Sequence, residues 1–130
     1  MSRTLKNPEK LHPAPGFSHI AIASGSTWVH FAGQVALAPD FSVIGEGDLF
    51  VQTQAAMRNL QVAMEEAGVS WSDIVRRTVY TTLPTEFVVI TEAIHSVTDG
   101  AEDPAQTIIG VTGLAVPGLL IEIECTAVLE

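Results

Sequence analysis

The most constraining stretch is Leu120-Ile121-Glu122-Ile123-Glu124-Cys125-Thr126-Ala127-Val128, where apolar and polar residues alternate one for one. A period of two puts Ile121, Ile123 and Cys125 on one face and Glu122 and Glu124 on the other, the pattern of a strand with one buried face. The upstream segment Pro104 to Val111 reads as a second strand, cut off by the Gly and Pro residues of the intervening loop. Any fold for this chain must give these two strands a sheet and cover one side of it.

What covers it is legible further back. Ala56, Met57, Leu60, Ala63, Met64 and Ala67 recur at three- and four-residue steps, with Asp48 placed as an N-cap and Gly68 as the stop. Phe87, Ile90, Ile94 and Val97 keep the same spacing after Pro84 and predict a second helix ending at Asp99-Gly100. His19 to Ala23 and Thr27 to Gln34 read as strands joined in a hairpin by Ser24-Gly25-Ser26, and Ile74 to Thr82 as a strand after the capped turn Ser70 to Asp73. The Pro-punctuated residues 1–16 read as an irregular lead-in. The predicted order is ββαβαββ, an α+β domain spanning 1–130, with a mixed sheet and two helices on one face.

Composition narrows the function classes. The chain has 130 residues, 47% of them hydrophobic and only 16% charged, which suits an ordered domain with a further buried surface such as an oligomer interface. Six Lys and Arg stand against 15 Asp and Glu, a net charge of −9. That balance argues against broad nucleic-acid binding, which rests on clustered cations that displace counterions. No apolar run reaches membrane-spanning length and no secretory leader is evident, so the expected setting is the cytoplasm. The single cysteine, Cys125, reads as a small buried hydrophobe.

Four segments, in order and with nearly the right gaps, give the chain a family likeness: Pro15-Gly16-Phe17-Ser18-His19, Phe31-Ala32-Gly33-Gln34, Asn59-Leu60 through Glu66-Ala67-Gly68, and Ile121-Glu122-Ile123-Glu124. Together they resemble the YjgF/RidA family, the reactive intermediate deaminases, also called L-PSP endoribonuclease-like. The resemblance implies a chorismate-mutase-like subunit in a homotrimer, with sheets toward the centre, helices outside and ligand clefts between subunits. It also implies hydrolysis of enamine or imine products of pyridoxal-phosphate enzymes to ammonia and a 2-oxo acid, with no cofactor and no metal.

The same resemblance locates the site. Glu122 falls where the family has a carboxylate that holds or activates water, the task of a positioned general base. Gln106 falls where the family has an arginine, whose planar guanidinium grips a substrate carboxylate through two charge-assisted bonds. A glutamine offers a donor and an acceptor but no charge. Phe17 stands for a tyrosine, Ala32 (beside Gly33) for a serine, Thr91 near a helix asparagine, and Ile108 for a frequent cysteine. The expectation is therefore a deaminase-like hydrolase of altered specificity, poor at 2-aminoacrylate-type substrates, in which Arg76 or Arg77 could replace the missing cation. A non-catalytic binding trimer is the alternative, and endoribonuclease action fits the acidic balance poorly.

The residues alone support plainer readings. Glu122 and Glu124 could simply be a solvated sheet face. The hairpin reading would bring His19 and His30 together, but no metal-ligand spacing supports a zinc site. Trp28 and Trp71 read as packing residues.

Overall fold

The computed structural model describes residues 2–130. Its main sheet has four strands, β3 (Thr27–Val35), β4 (Ile74–Thr81), β5 (Ala105–Gly110) and β6 (Ile121–Leu129), in the spatial order β3-β6-β4-β5. The alternating segment Ile121 to Val128 lies in β6, a central strand antiparallel to both neighbours, while β4 and β5 run parallel. A parallel pair needs a crossover, and α2 (Phe87–Thr98) supplies it. The sheet is thus mixed, and both helices lie on one face of it.

The longer helix, α1 (Leu49–Ala67), follows its sequence signals closely. The Asp48 side chain accepts from the Val51 amide, and Gly68 closes the helix at φ 72° with its N–H donating to the Glu65 carbonyl. A left-handed residue there favours glycine. Met57, Leu60 and Met64 pack with Ile90 and Ile94 of α2 onto Ile74, Val79, Ile121, Ile123 and Cys125 of the sheet. Each fully buried side chain of this size contributes roughly 1.5–3 kcal/mol over its exposed state. Ala67, placed on the stripe by spacing, is exposed because the last turn runs past the sheet.

Two amides on α1 tie loops to this core. Buried Gln52 donates to the Gly45 and Gly118 carbonyls and accepts from the Leu120 amide, while Asn59 donates to the Val35 and Leu37 carbonyls where β3 leaves the sheet. Each satisfies backbone groups that would otherwise be stranded under the helix.

Two sequence expectations fail here. The first sixteen residues are not all irregular: β1 (Ser2–Lys6) pairs antiparallel with β2 (Ile20–Ser24), from Ser2 opposite Ser24 to Lys6 opposite Ile20. Arg3 pins the strand by donating to the Ile74 carbonyl at 2.7 Å. The predicted hairpin between β2 and β3 does not form either. Its turn is present, but Gly25 lies against the Leu129 carbonyl, where a Cβ would collide, and β3 pairs with β6 while β2 pairs with β1. His19 and His30 are consequently separated. His30 bonds Thr126 on the main sheet, whereas His19 bonds the His12 carbonyl.

Candidate functional site

Strand register decides which predicted site residues can meet. Gln106 lies opposite Arg77 and Ile108 opposite Val79, while Arg77 and Val79 lie opposite Cys125 and Ile123 on the other side of β4. Laterally paired residues share a face, so Gln106 and Ile108 are on the helix-covered side. Glu122 lies opposite Tyr80, and Glu124 opposite Thr78, on the side without helices. The six substrate-binding candidates and the one catalytic candidate therefore form two groups on opposite faces of one sheet.

The first group lines a cleft of about 370 Å³ with His12, Pro13, Pro15, Phe17, Phe87, Thr91, Gln106 and Ile108 at its walls. That volume falls in the range of small-molecule sites, ~300–1,000 Å³. Three elements build it. The head of β5 gives Gln106 and Ile108, the first turns of α2 give Phe87 and Thr91, and the residues before β2 give the rest. The last segment is held to β5 by Ser18, whose N–H donates to the Pro104 carbonyl at 2.9 Å and whose hydroxyl donates to the Asp103 carbonyl at 2.7 Å. It is held to α2 by Gly16, at φ 82°, where a Cβ would come within 2.5 Å of Thr91 Cγ2. Phe17 is fixed edge-on to His19, ring centroids 5.3 Å apart, with the His12 ring 4.7 Å from that of His19.

Gln106 is oriented from behind. Arg77 donates through Nε to the Gln106 side-chain oxygen, and through Nη2 to the Gly16 carbonyl at 3.0 Å and to Asp103 Oδ1 at 3.1 Å. The other Asp103 oxygen bonds His95 Nε2 at 2.7 Å. The Arg77 side chain is 3% exposed. Burial lowers its pKa, with the facing Asp103 charge acting in the opposite sense to keep it protonated. Within a single chain neither Arg76 nor Arg77 lines this cleft. Arg77 touches Gln106 but is not among the cleft's walls, and its charge is matched by Asp103. Arg76 is on the far face, bonded to Thr107 Oγ1 at 2.6 Å.

The second group surrounds Glu122. Between Phe31 and Gln34 the pairing of β3 with β6 shifts register, a bulge carrying Ala32 and Gly33. Gly33 lies directly against the Glu122 carboxylate, and a Cβ at Gly33 would collide with it. A larger residue at 33 would have to displace the Glu122 side chain from this position. Nearby, Tyr80 donates its hydroxyl to Glu124 Oε1, a bond that raises the tyrosine pKa. The same face carries Trp28, 65% exposed, and Ile109, 39% exposed, so Trp28 does not pack within its own chain as its sequence setting suggested. Trp71 does pack against the core.

Sequence reasoning found Gln106, Phe17, Thr91 and Ile108 as neighbours, but missed His12, Pro13, Pro15 and Phe87 as walls of the same cleft. The proline spacing that suggested a mere lead-in was the available signal. Cys125 is buried beneath this region and its thiol pKa is pushed up to about 12 by desolvation, which removes it as a nucleophile near neutral pH. Among the described residues no cluster of three His, Cys, Asp or Glu is placed to hold a metal, and no helix is long and apolar enough to cross a membrane.

The family model described as Endoribonuclease L-PSP matches residues 7–129. The chain belongs to that family, the YjgF/RidA or Rid proteins. A RutC family protein of Synechocystis sp. is 31% identical over 118 residues, covering 90% of each chain. The crystal structure of YyfB from Yersinia pestis, a conserved Rid family protein described as of unknown function, has a TM-score of 0.92 at 38% identity and covers 99% of this chain and 100% of its own. A YjgF-family member from Mycobacterium tuberculosis has a TM-score of 0.66 at 26% identity over 98% of this chain and 100% of its own. The Rid fold accounts for the α+β architecture, the mixed sheet and the helices on one face.

Proposed function

We propose that this Rid protein assembles as a homotrimer through the helix-free face of its sheet, and that each cleft between subunits binds a small imine, enamine or carbonyl metabolite. One subunit gives Gln106, Phe17, Thr91 and Ile108, and its neighbour gives Glu122 with the Ala32–Gly33 bulge. The observation that carries this reading is the division itself: a cleft and a carboxylate on opposite faces of one sheet act together only when a second copy brings its Glu122 to the first copy's cleft. Exposed Trp28 and Ile109 on the carboxylate face provide apolar surface for such packing.

The chemistry follows from those groups. Gln106 and the cleft walls hold the substrate, and Glu122 takes a proton from water as its oxygen bonds to the imine carbon. The C=N bond becomes a C–N single bond as Glu122 gives that proton to the nitrogen. Collapse of the resulting amino alcohol passes its hydroxyl proton to the nitrogen, which leaves as ammonia, and a carbonyl remains. An enamine first takes a proton at carbon to become the imine. Water is the only co-reactant, so the balance closes without redox chemistry.

Subunit complementation tests both parts. Sedimentation should give a species three times the 13.8 kDa chain mass, and Trp28→Glu should reduce it to folded single chains. Gln106→Leu and Glu122→Gln trimers should each be nearly inactive in ammonia release from imines generated in situ. Mixed trimers of the two should recover activity, because some clefts then pair two native halves. Mixed trimers no better than their parents would sink the shared cleft. On 2-aminoacrylate, activity should fall about 10–100-fold below an arginine-bearing relative assayed beside it, the loss of a charged anchor costing a few kcal/mol.

A further inference from the structure

The polar groups of the cleft define a narrower class of ligand than the family likeness does. Arg77 has only donors, so its contact with Gln106 forces the side-chain oxygen of that amide toward the guanidinium. The Gln106 Nε2 group, on the opposite side of the same amide carbon, has no hydrogen-bond partner among the described residues, and neither has the Thr91 hydroxyl. Gln106 therefore presents two N–H donors to the cleft and no acceptor. Around them stand Phe17, Phe87, Ile108 and the two prolines, which are apolar.

The charge is equally constrained. The nearest guanidinium is neutralised at 3.1 Å by Asp103, which also holds His95. Of the cleft's walls only His12 can carry a positive charge, and its Nδ1 is turned to the Pro13 carbonyl at 2.7 Å, while the chain as a whole is at −9. An anion entering an apolar cleft loses hydration and needs a charged partner in exchange, whereas a neutral acceptor needs only a donor.

We propose that the cleft selects an uncharged substrate, an amide, ketone or imine acceptor on a small apolar body without a carboxylate, and that Arg77 is a positioning residue that sets the donor direction of Gln106. This specificity rests on the cleft being the substrate site of the proposed function, but it does not depend on turnover.

The test uses a matched pair of probes, 2-oxobutanamide and 2-oxobutanoate, titrated calorimetrically into the full chain. The amide should bind at least tenfold more tightly than the acid. Gln106→Glu replaces the donors with a second acceptor facing Arg77 and should weaken amide binding at least tenfold. Gln106→Leu should do the same without altering charge, and thermal melts of both variants report whether the fold persists. Equal or tighter binding of 2-oxobutanoate, no detectable binding of either probe, or amide binding unchanged in both variants overturns the proposal. A protein that keeps the amide preference yet releases no ammonia from any imine retains this specificity and loses the hydrolytic reading. One that turns over carboxylate-bearing imines faster than neutral ones does the reverse.

Discussion

The two faces of the sheet are built by the same strands and obey different rules. On the covered face, Arg77 and Cys125 are buried, and Arg77 is tied to Gln106 and Asp103 because water cannot serve it. On the bare face, Glu122, Glu124, Tyr80 and Arg76 are solvated, and their contacts are adjustable. Moving one residue along β4 or β6 crosses from one regime to the other. The covered face fixes geometry, while the bare face keeps its polar groups within reach of water.

The largest expected effect breaks the covered face. Asp103→Ala leaves the Arg77 guanidinium buried without its counter-charge, and loss of one partner of such a pair typically costs about 3–5 kcal/mol. Urea unfolding should show that loss. A change below about 1 kcal/mol would mean Arg77 is less enclosed than its 3% exposure indicates.

A second, intermediate effect concerns pH. Cys125 titrates near 12 when folded and near its ordinary value when unfolded. Between those values the folded state binds more protons, so stability is intact below about pH 9 and falls as pH rises toward 12. By pH 10.5 the thiol alone should account for roughly 2–3 kcal/mol. Cys125→Ala should show a shallower decline in denaturant midpoint over pH 8.5–10.5. Parallel declines would refute the assignment. Native protein should also react sluggishly with thiol reagents at pH 8 and rapidly once unfolded.

The smallest effect sharpens the contrast from the bare side. Tyr80→Phe removes the bond to Glu124 where both groups reach water, and exposed interactions of this sort contribute about 0–1 kcal/mol. Chemical unfolding should barely register it. A loss comparable to Asp103→Ala would show that this half-buried bond is shut off from water in the assembled protein.

Much of the fold was legible because its signals are local. The stripe from Ala56 to Met64 with Asp48 and Gly68 at its ends specifies α1, and the alternation from Ile121 to Cys125 specifies a half-buried strand. What was illegible is non-local pairing. Ser24-Gly25-Ser26 makes a turn in either arrangement, and nothing nearby indicates that β3 takes its hydrogen bonds from a strand about ninety residues later. β1 was hidden because the prolines at 8, 13 and 15 dominate a segment whose five preceding residues pair quietly. The candidate site shows the same division. Gln106 and Glu122 were both picked out, yet their placement on opposite faces depends on the registers of β4 with β5 and β6. The contact of Arg77 with Gln106 depends on the first of these.

The position of β6 bears on how the chain reaches this state. It is the last strand in chain order and yet occupies the middle of the sheet, between β3 and β4. Until it docks, both neighbours present unsatisfied backbone edges along their β-branched lengths, the surface on which strands of other molecules add. Helix α1 can form early from local contacts, but the sheet beneath it cannot close before Ile121 to Leu129 is in place. Assembly should therefore be governed by one late, long-range event, with aggregation as its competitor.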